Sequence, residues 1–486
     1  MRSLRVRRCV LAFVSVFLVL VCYTILKPAT MRAGDNCWAA TYGGRSWEEA
    51  WSITATSDGG CAVAGWTYSF GAGDDDFWAL KLASDGTVQW EKTYGGHGDD
   101  AADLIIETSD GGYALTGYTA SFGAGGLDVW VLKLTADGSI QWQKTYGGPA
   151  DDEAVSVQET LDGGYVVAGE TQSYGAGDWD IWILKLSASG AIEWQHTYGG
   201  RGRETCSADP IVQTLDGGYV VTGHTASFGA GNSDVWVLKL DENGAIQWQK
   251  TYGGRGYEEA HAIRQTVDGG YAVAAFTSTF GAGDWDVWVL KLDQSGAVLW
   301  QKTFGGQGRD VTWSVHQTAD GGCVVTGGTA SFGAGGDDAW VLKLDHNGAV
   351  DWQKTYGGRE DDEGESVRQS PDGGYWVGGG TASFGAGGLD FWVLRLDPQG
   401  SVPGCALGVS SDATIRNTSV VGVNSTCTVS ESAATVSDTR VSAVSSAATV
   451  RVQCVYQPTP TPTVTLTPPP TPTPSYGIYL PMIKKK

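Results

Sequence analysis

Carboxylates recur along this chain at intervals that a random sequence would not produce. Asp58, Asp110, Asp162, Asp216, Asp268, Asp320 and Asp372 each open a DGG step, and Asp76, Asp128, Asp180, Asp234, Asp286, Asp338 and Asp390 each stand two residues before a Trp. An Asp leading into Gly is turn chemistry: the carboxylate accepts backbone N–H groups while Gly takes the left-handed conformation. The same oxygens could instead serve calcium, which gathers about six to eight oxygen ligands. The densest places for it are GDDD with Asp74 and Asp75, HGDD with Asp99 and Asp100, and EDDE with Asp361 and Asp362. None has EF-hand or RTX spacing, so calcium is the one cofactor these residues suggest and turn chemistry is the competing reading.

A second pattern is variation on a constant frame. In a recurring G-x-T step the middle residue is Trp66, Tyr118, Glu170, His224, Phe276 (within A-x-T), Gly328 and Gly380. After each TYGG the chain reads RSWE, HGDD, PADD, RGRE, RGYE, QGRD and REDD, which adds Trp47, Arg203, Tyr257 and Arg309. Aromatic, charged and imidazole side chains at matched positions are what a ligand-binding surface would use; drift at unconstrained surface positions is the alternative.

Enzymatic motifs are missing. The chain has no GxSxG, no GxxxxGK(S/T) and no HExxH, and its GAG steps lead into a strand-like run instead of opening a helix. Its six His are scattered without ligand spacing, so no catalytic residue is assigned. Seven of the nine Cys lie beyond residue 34, at 37, 61, 206, 323, 405, 427 and 454, and an odd number leaves at least one without an intramolecular partner in an oxidising compartment. Cys61 and Cys323 replace the Tyr of DGGY and read as buried thiols.

The elements that would hold these residues follow from composition and repetition. The 486 residues carry a formal net charge of −22, which argues against a nucleic-acid partner, and 21 Trp, 19 Tyr and 12 Phe argue against disorder. TYGG, once as TFGG, starts at Thr41, Thr93, Thr145, Thr197, Thr251, Thr303 and Thr355, so the spacing is 52 residues with one unit of 54. The two extra residues fall near Cys206, in what reads as an insertion-tolerant loop. Each unit divides into four short β-favouring runs separated by Gly/Asp turns, for example AVSVQET, YVVAGET, DIWILKL and AIEWQHT. Four strands per repeat, seven times over, predict an all-β, seven-bladed β-propeller. A d-like segment, CWAATYGG, stands before the first complete unit, and the last unit lacks its own d strand. The N-terminal segment is therefore expected to close the ring, removing an exposed sheet edge.

The flanks are different. Arg2, Arg5, Arg7 and Arg8 precede an uncharged, mostly apolar run to Leu26, the order of a secretory signal or an uncleaved anchor. Residues 457–475 are a Pro/Thr spacer, and 476–486 an apolar stretch too short to span a bilayer that ends in lysines. The organisation expected is 1–34 signal or anchor, 35–405 propeller, 406–456 a small Ser/Thr/Val-rich β appendage, 457–475 linker and 476–486 tail.

The units DGGY…DxWxLKLDxxGxxxWxKTYGG resemble the β-propeller repeats of secreted and cell-surface bacterial proteins. LKLDENGAIQW, residues 238–248, is similar to a quinoprotein-type blade, although those enzymes use eight blades and an adjacent Cys pair. The T-x-DGG turns are similar to the Asp-box hairpin of sialidases, but no Arg triad accompanies them; Arg264 and Arg368 are the basic residues late in strand a. The variable positions, the basic-then-apolar N-terminus and this resemblance together give the expectation of an extracytoplasmic, monomeric module that binds a carbohydrate or a protein and touches a membrane only through an uncleaved N-terminal segment. Two alternatives stand beside it: an enzyme acting on polysaccharide or with a quinone in the central channel, and a purely structural surface protein.

Overall fold

The computed structural model describes residues 37–403 and the backbone of six strands between 408 and 455. The expected leader, linker and tail lie outside the described residues. Strands a to d of blade 1 are Glu48–Ala55, Cys61–Thr67, Asp76–Leu82 and Val88–Tyr94, paired antiparallel in that order. The next units repeat this from Asp100–Glu107, Asp152–Glu159, Glu204–Thr205, Glu258–Gln265, Asp310–Gln317 and Asp362–Gln369, and the a strands of neighbouring blades contact one another around the centre. Ring closure is as expected. Trp38–Gly43 pairs with strand c of blade 7, Asp390–Leu396, placing Thr41 opposite Trp392.

Strand c is buried along its whole length in every blade because neighbouring sheets cover both of its faces. Its tryptophans, from Trp78 to Trp392, are at most 2% exposed. At about 25 cal/mol/Å², each contributes roughly 4–6 kcal/mol gross before chain entropy is subtracted. These rings are packed between blades and cannot stack on a ligand.

Two side chains on six of the seven d strands stitch the strand to the next blade. Trp90 Nε1 donates to Ala136 O at 3.0 Å and Tyr94 Oη donates to Gly138 O at 2.7 Å; Gly138 presents that carbonyl from a turn with φ of 75°. Trp38 and Tyr42 do the same across the closing seam, to Ser84 O and Gly86 O. TFGG puts Phe304 at the equivalent position between blades 5 and 6, where a phenyl ring has no hydroxyl to donate.

The DGG carboxylates have a partner that turn chemistry alone does not supply. Asp58 accepts from Thr56 Oγ1 at 2.5 Å and Gly60 N at 3.1 Å, and pairs with the buried Lys81 of LKL at 2.9 Å. Lys133, Lys185, Lys239, Lys291, Lys343 and Arg395 repeat this pairing around the ring. Burial tends to raise the Asp58 carboxyl, but the Thr, Lys and backbone hydrogen bonds outweigh it and hold the pKa at about 2.

Two expectations are corrected. The described strands of 406–456 do not make an appendage. They run backwards around the ring, each on the outer edge of a different blade: Gly408–Ser410 on blade 6, Thr414–Asn417 on blade 5, Val423–Asn424 on blade 4, Thr428–Glu431 on blade 3, Thr435–Asp438 on blade 2 and Thr449–Val455 on the closing strand. Outer d strands present unpaired backbone groups, and a β-prone segment satisfies its own by joining them. The second correction concerns blade 4, whose extra residues lie inside strand a. They split it into Glu204–Thr205 and Ile211–Gln213 and carry Asp209 toward the ring centre.

Candidate functional site

Strand a begins, and strand b ends, at the end of the ring that carries the TYGG and GAG loops. Glu49 pairs with Trp66, Ala101 with Tyr118, Glu153 with Glu170, Thr205 with His224, Glu259 with Phe276, Val311 with Gly328 and Glu363 with Gly380. The variable G-x-T residues are thus placed at one mouth of the channel, each beside the second residue of its a strand.

A feature that the sequence reading missed sits next to them. In six blades the a strand carries a bulge, between Ala50 and Ser52 in blade 1 and at the matched positions of blades 2, 3, 5, 6 and 7. The residue at the bulge is Trp51, Asp103, Val155, His261, Trp313 or Glu365. A bulge adds an unpaired residue and re-aims its side chain. The available signal was variation, since this position, ten residues after the Thr of TYGG in those units, differs as widely as the G-x-T position.

The mouth has two unlike sides. Across blades 7, 1, 2 and 3 it is acidic. Glu49 accepts hydrogen bonds from the indoles of Trp51 and Trp66, yet burial, with Glu363 close by, pushes its pKa up to about 7. Burial, followed by repulsion from Glu363 and Glu49, raises Glu365 well above the ordinary carboxyl range. Asp103 is raised in the same way by burial, with Glu153 and Glu170 adding to it. Glu170, 8% exposed, is pushed up to about 8 by burial and then Glu153, against the opposing pull of Arg203. Arg203 approaches Glu170 to 4.0 Å while lying over the Trp179 ring.

Across blades 4, 5 and 6 the mouth is largely aromatic, with Glu259, raised by burial, the acid beside Phe276. The His261 ring lies 4.7 Å from Trp313 and 5.0 Å from Phe276, which packs on Trp285 at 4.7 Å. Burial lowers His261 to about 3 and His224 to about 4, so both are uncharged at neutral pH. His224 Nε2 is 2.5 Å from Thr205 Oγ1. Gly328 and Gly380 leave blades 6 and 7 without a side chain at this level, and a Cβ on Gly328 would meet nothing nearer than Glu363 at 3.5 Å.

The loop residues surround this mouth. Tyr257 stacks on Trp285 with ring centroids 6.3 Å apart, and Arg309 bonds Asp337 at 3.0 Å and reaches Glu363 at 3.8 Å. Trp47, 55% exposed, lies over Gly388 of the blade 7 loop. Trp66 and Tyr68 pack edge to face. Of the acids suggested for calcium, Asp100 accepts from Gly96 N at 2.7 Å and Ser121 Oγ at 2.8 Å, and Asp362 from Gly358 N at 2.7 Å, so both fasten the TYGG loop. Asp75, with Asp99 beside it, is raised to about 6 mainly by burial, whereas Asp74, Asp99 and Asp361 are exposed. Among the described residues no group of three or more His, Cys, Asp or Glu is arranged to hold a metal ion.

Below the mouth the channel is crossed. Asp209 accepts from Arg368 Nη2 at 2.8 Å, from Arg264 Nη2 and from Ser156 Oγ at 3.3 Å, which joins blades 3, 4, 5 and 7 through one carboxylate. Arg264 and Arg368 therefore serve as a brace and are not two members of an anion-binding triad. At the opposite end is an open depression of ≈ 640 Å³, lined in part by Glu107, Val267, His316, Gln317 and Gln369.

No family model and no curated protein matches the chain. Among solved structures, a protein of unknown function from Bacteroides caccae is similar at 14% identity over 65% of this chain and 93% of that one, with a TM-score of 0.36. An endo-1,5-α-L-arabinanase from Thermotoga petrophila RKU-1 is similar at 12% identity over 73% of this chain and 100% of that one, with a TM-score of 0.26.

Proposed function

We propose that the protein is an extracytoplasmic binding module that takes a carbohydrate into the TYGG-end mouth of its ring. The observation that supports this most is the joint placement of Trp51, Trp66, Phe276 and Trp313 with Glu49, Glu170 and Glu363 around a mouth that Asp209 and its arginines close from below. Flat apolar faces cover sugar rings and carboxylates accept from hydroxyls, the usual division of labour in a concave ligand site. Export, implied by the basic-then-apolar N-terminus, would place that mouth where polysaccharides are met.

One observation favours a second reading, hydrolysis of a polysaccharide. Burial, with Glu363 close by, pushes Glu49 up to about 7 and raises Glu365 well above the ordinary carboxyl range, and a carboxyl that keeps its proton near neutral pH is what a general acid requires. Both readings are tested by probing a glycan array with the full chain, with and without calcium, and then assaying reducing ends released from any polysaccharide retained. Saturable binding without release supports the module, whereas release that is lost in Glu365→Gln supports the enzyme. Protein partners retained in place of every glycan would overturn both.

A further inference from the structure

The mouth gathers more acidic groups than basic ones, and the imbalance is local. Burial raises Asp103, Glu153 and Glu170, with Glu153 and Glu170 adding to the rise at Asp103 and Glu153 to that at Glu170, and the cation acting on Glu170 and Glu153 is Arg203, itself 58% exposed. Arg203 faces Glu170 Oε1; Glu170 Oε2 is buried without a hydrogen-bond partner. The Cys206 amide also donates to this carboxyl, but an unpartnered buried Oε2 is costly unless a ligand donor reaches it.

An independent observation lies further along the same rim. His261 is 4% exposed, and neither ring nitrogen has a hydrogen-bond partner. Its neighbours are His224, Arg309, Phe276 and Trp313, all on this mouth, so the imidazole stands between aromatic faces with one donor and one acceptor to offer. Hydroxyl groups satisfy such a pair, and a cation satisfies the acids of blades 2 and 3 across the same mouth. A ligand meeting both needs carries hydroxyls and a positive charge in one molecule.

We propose that the mouth selects sugars bearing free amino groups, with the ammonium against Asp103, Glu153 and Glu170 and the sugar ring against His261, Phe276 and Trp313. The assignment rests on the carbohydrate reading above and narrows it. An N-acetylated sugar would present an uncharged amide, which gives no charge to offset ionisation of the carboxyls. A lysine-rich peptide would neutralise the acids but bring no hydroxyl to His261. Because Glu170, raised to about 8, holds a proton in the free protein at pH 6, an ammonium arriving against it displaces that proton, and binding releases it.

The test is titration calorimetry of the full chain at about pH 6, below the ordinary range of an amine, with a β-1,4-linked glucosamine hexamer, its N-acetylated counterpart and hexalysine. The glucosamine hexamer should bind at least about tenfold more tightly than either of the others. That preference should be lost in Glu170→Gln, as expected when one partner of a desolvated charge contact is removed. The heat should also change with the buffer's ionisation enthalpy in the direction of proton release, a readout that needs no variant to fold. Equal affinity for the two sugars overturns amine selection but leaves the carbohydrate reading standing. Equal affinity for hexalysine reduces the effect to general attraction of polycations, and absence of binding by any glycan overturns both.

Discussion

Replacing Asp209 with Ala removes the carboxylate that accepts from Arg264 and Arg368 across the channel. The Asp209 side chain is 11% exposed and the two guanidiniums 16% and 13%, so solvent can do little to screen what remains. Two like charges would then face each other; burial, reinforced in Arg264 by its neighbour Arg368, already depresses both, Arg368 to about 10. Removing one partner from a buried ion pair costs about 3–5 kcal/mol. With an unfolding entropy of roughly 2.1 cal/mol/K per residue, that lowers the Tm of this ring by about 4–6 °C. Scanning calorimetry of Asp209→Ala, Arg368→Met and the double variant reads the effect directly. The double variant should lose less than the sum of the two single changes, because the second substitution removes a charge that the first left unpaired. Strict additivity, or a Tm for Asp209→Ala within about 1 °C of the parent, would refute the brace, since a 1 kcal/mol change would already be seen.

Other perturbations test the rest of the fold. Deleting residues 36–41 takes away the strand that pairs with Asp390–Leu396 and should lower the Tm far more than trimming 457–486; equal losses would sink the closure. Tyr94→Phe should cost about 1–2 kcal/mol by orphaning Gly138 O, and Phe304→Tyr should gain about 1 kcal/mol by supplying the missing seam bond, so denaturation shifts in the same direction would contradict this account. Stability should also depend on pH in both directions. Carboxyls raised above their unfolded range, Asp338 to about 6, Glu49 to about 7 and Glu170 to about 8, destabilise the fold when ionised, so stability grows as pH falls from 8 toward about 5. His224, His261 and His316, lowered to between about 3 and 4, oppose this below their unfolded value of 6.5, and DGG aspartates such as Asp58 and Asp110, held at about 2, lose their contribution below about 4. A Tm that falls steadily from pH 8 to 5 would show that the raised carboxyls do not govern the profile.

Seven blades, their four strands and the closing strand were all legible in the residues, because each rests on local spacing. A DGG turn, a seven-residue apolar run and a d-like segment without a blade of its own can be recognised within tens of residues, and the 52-residue period repeats the evidence. The rim positions from Trp66 to Phe276 were legible for the same reason, as departures from a constant frame. Other features depend on partners that only closure brings within reach. A one-residue bulge turns Asp103, His261 and Glu365 toward the mouth, and alternation along the strand gives no notice of it. Asp209 meets Arg368 across 159 residues, and the strands of 406–456 meet blades in reverse chain order. Local propensity could mark those segments as β or loop; which edge or charge each would satisfy was decided by the ring, where an unpaired backbone edge or buried charge takes whatever partner the closed geometry sets beside it.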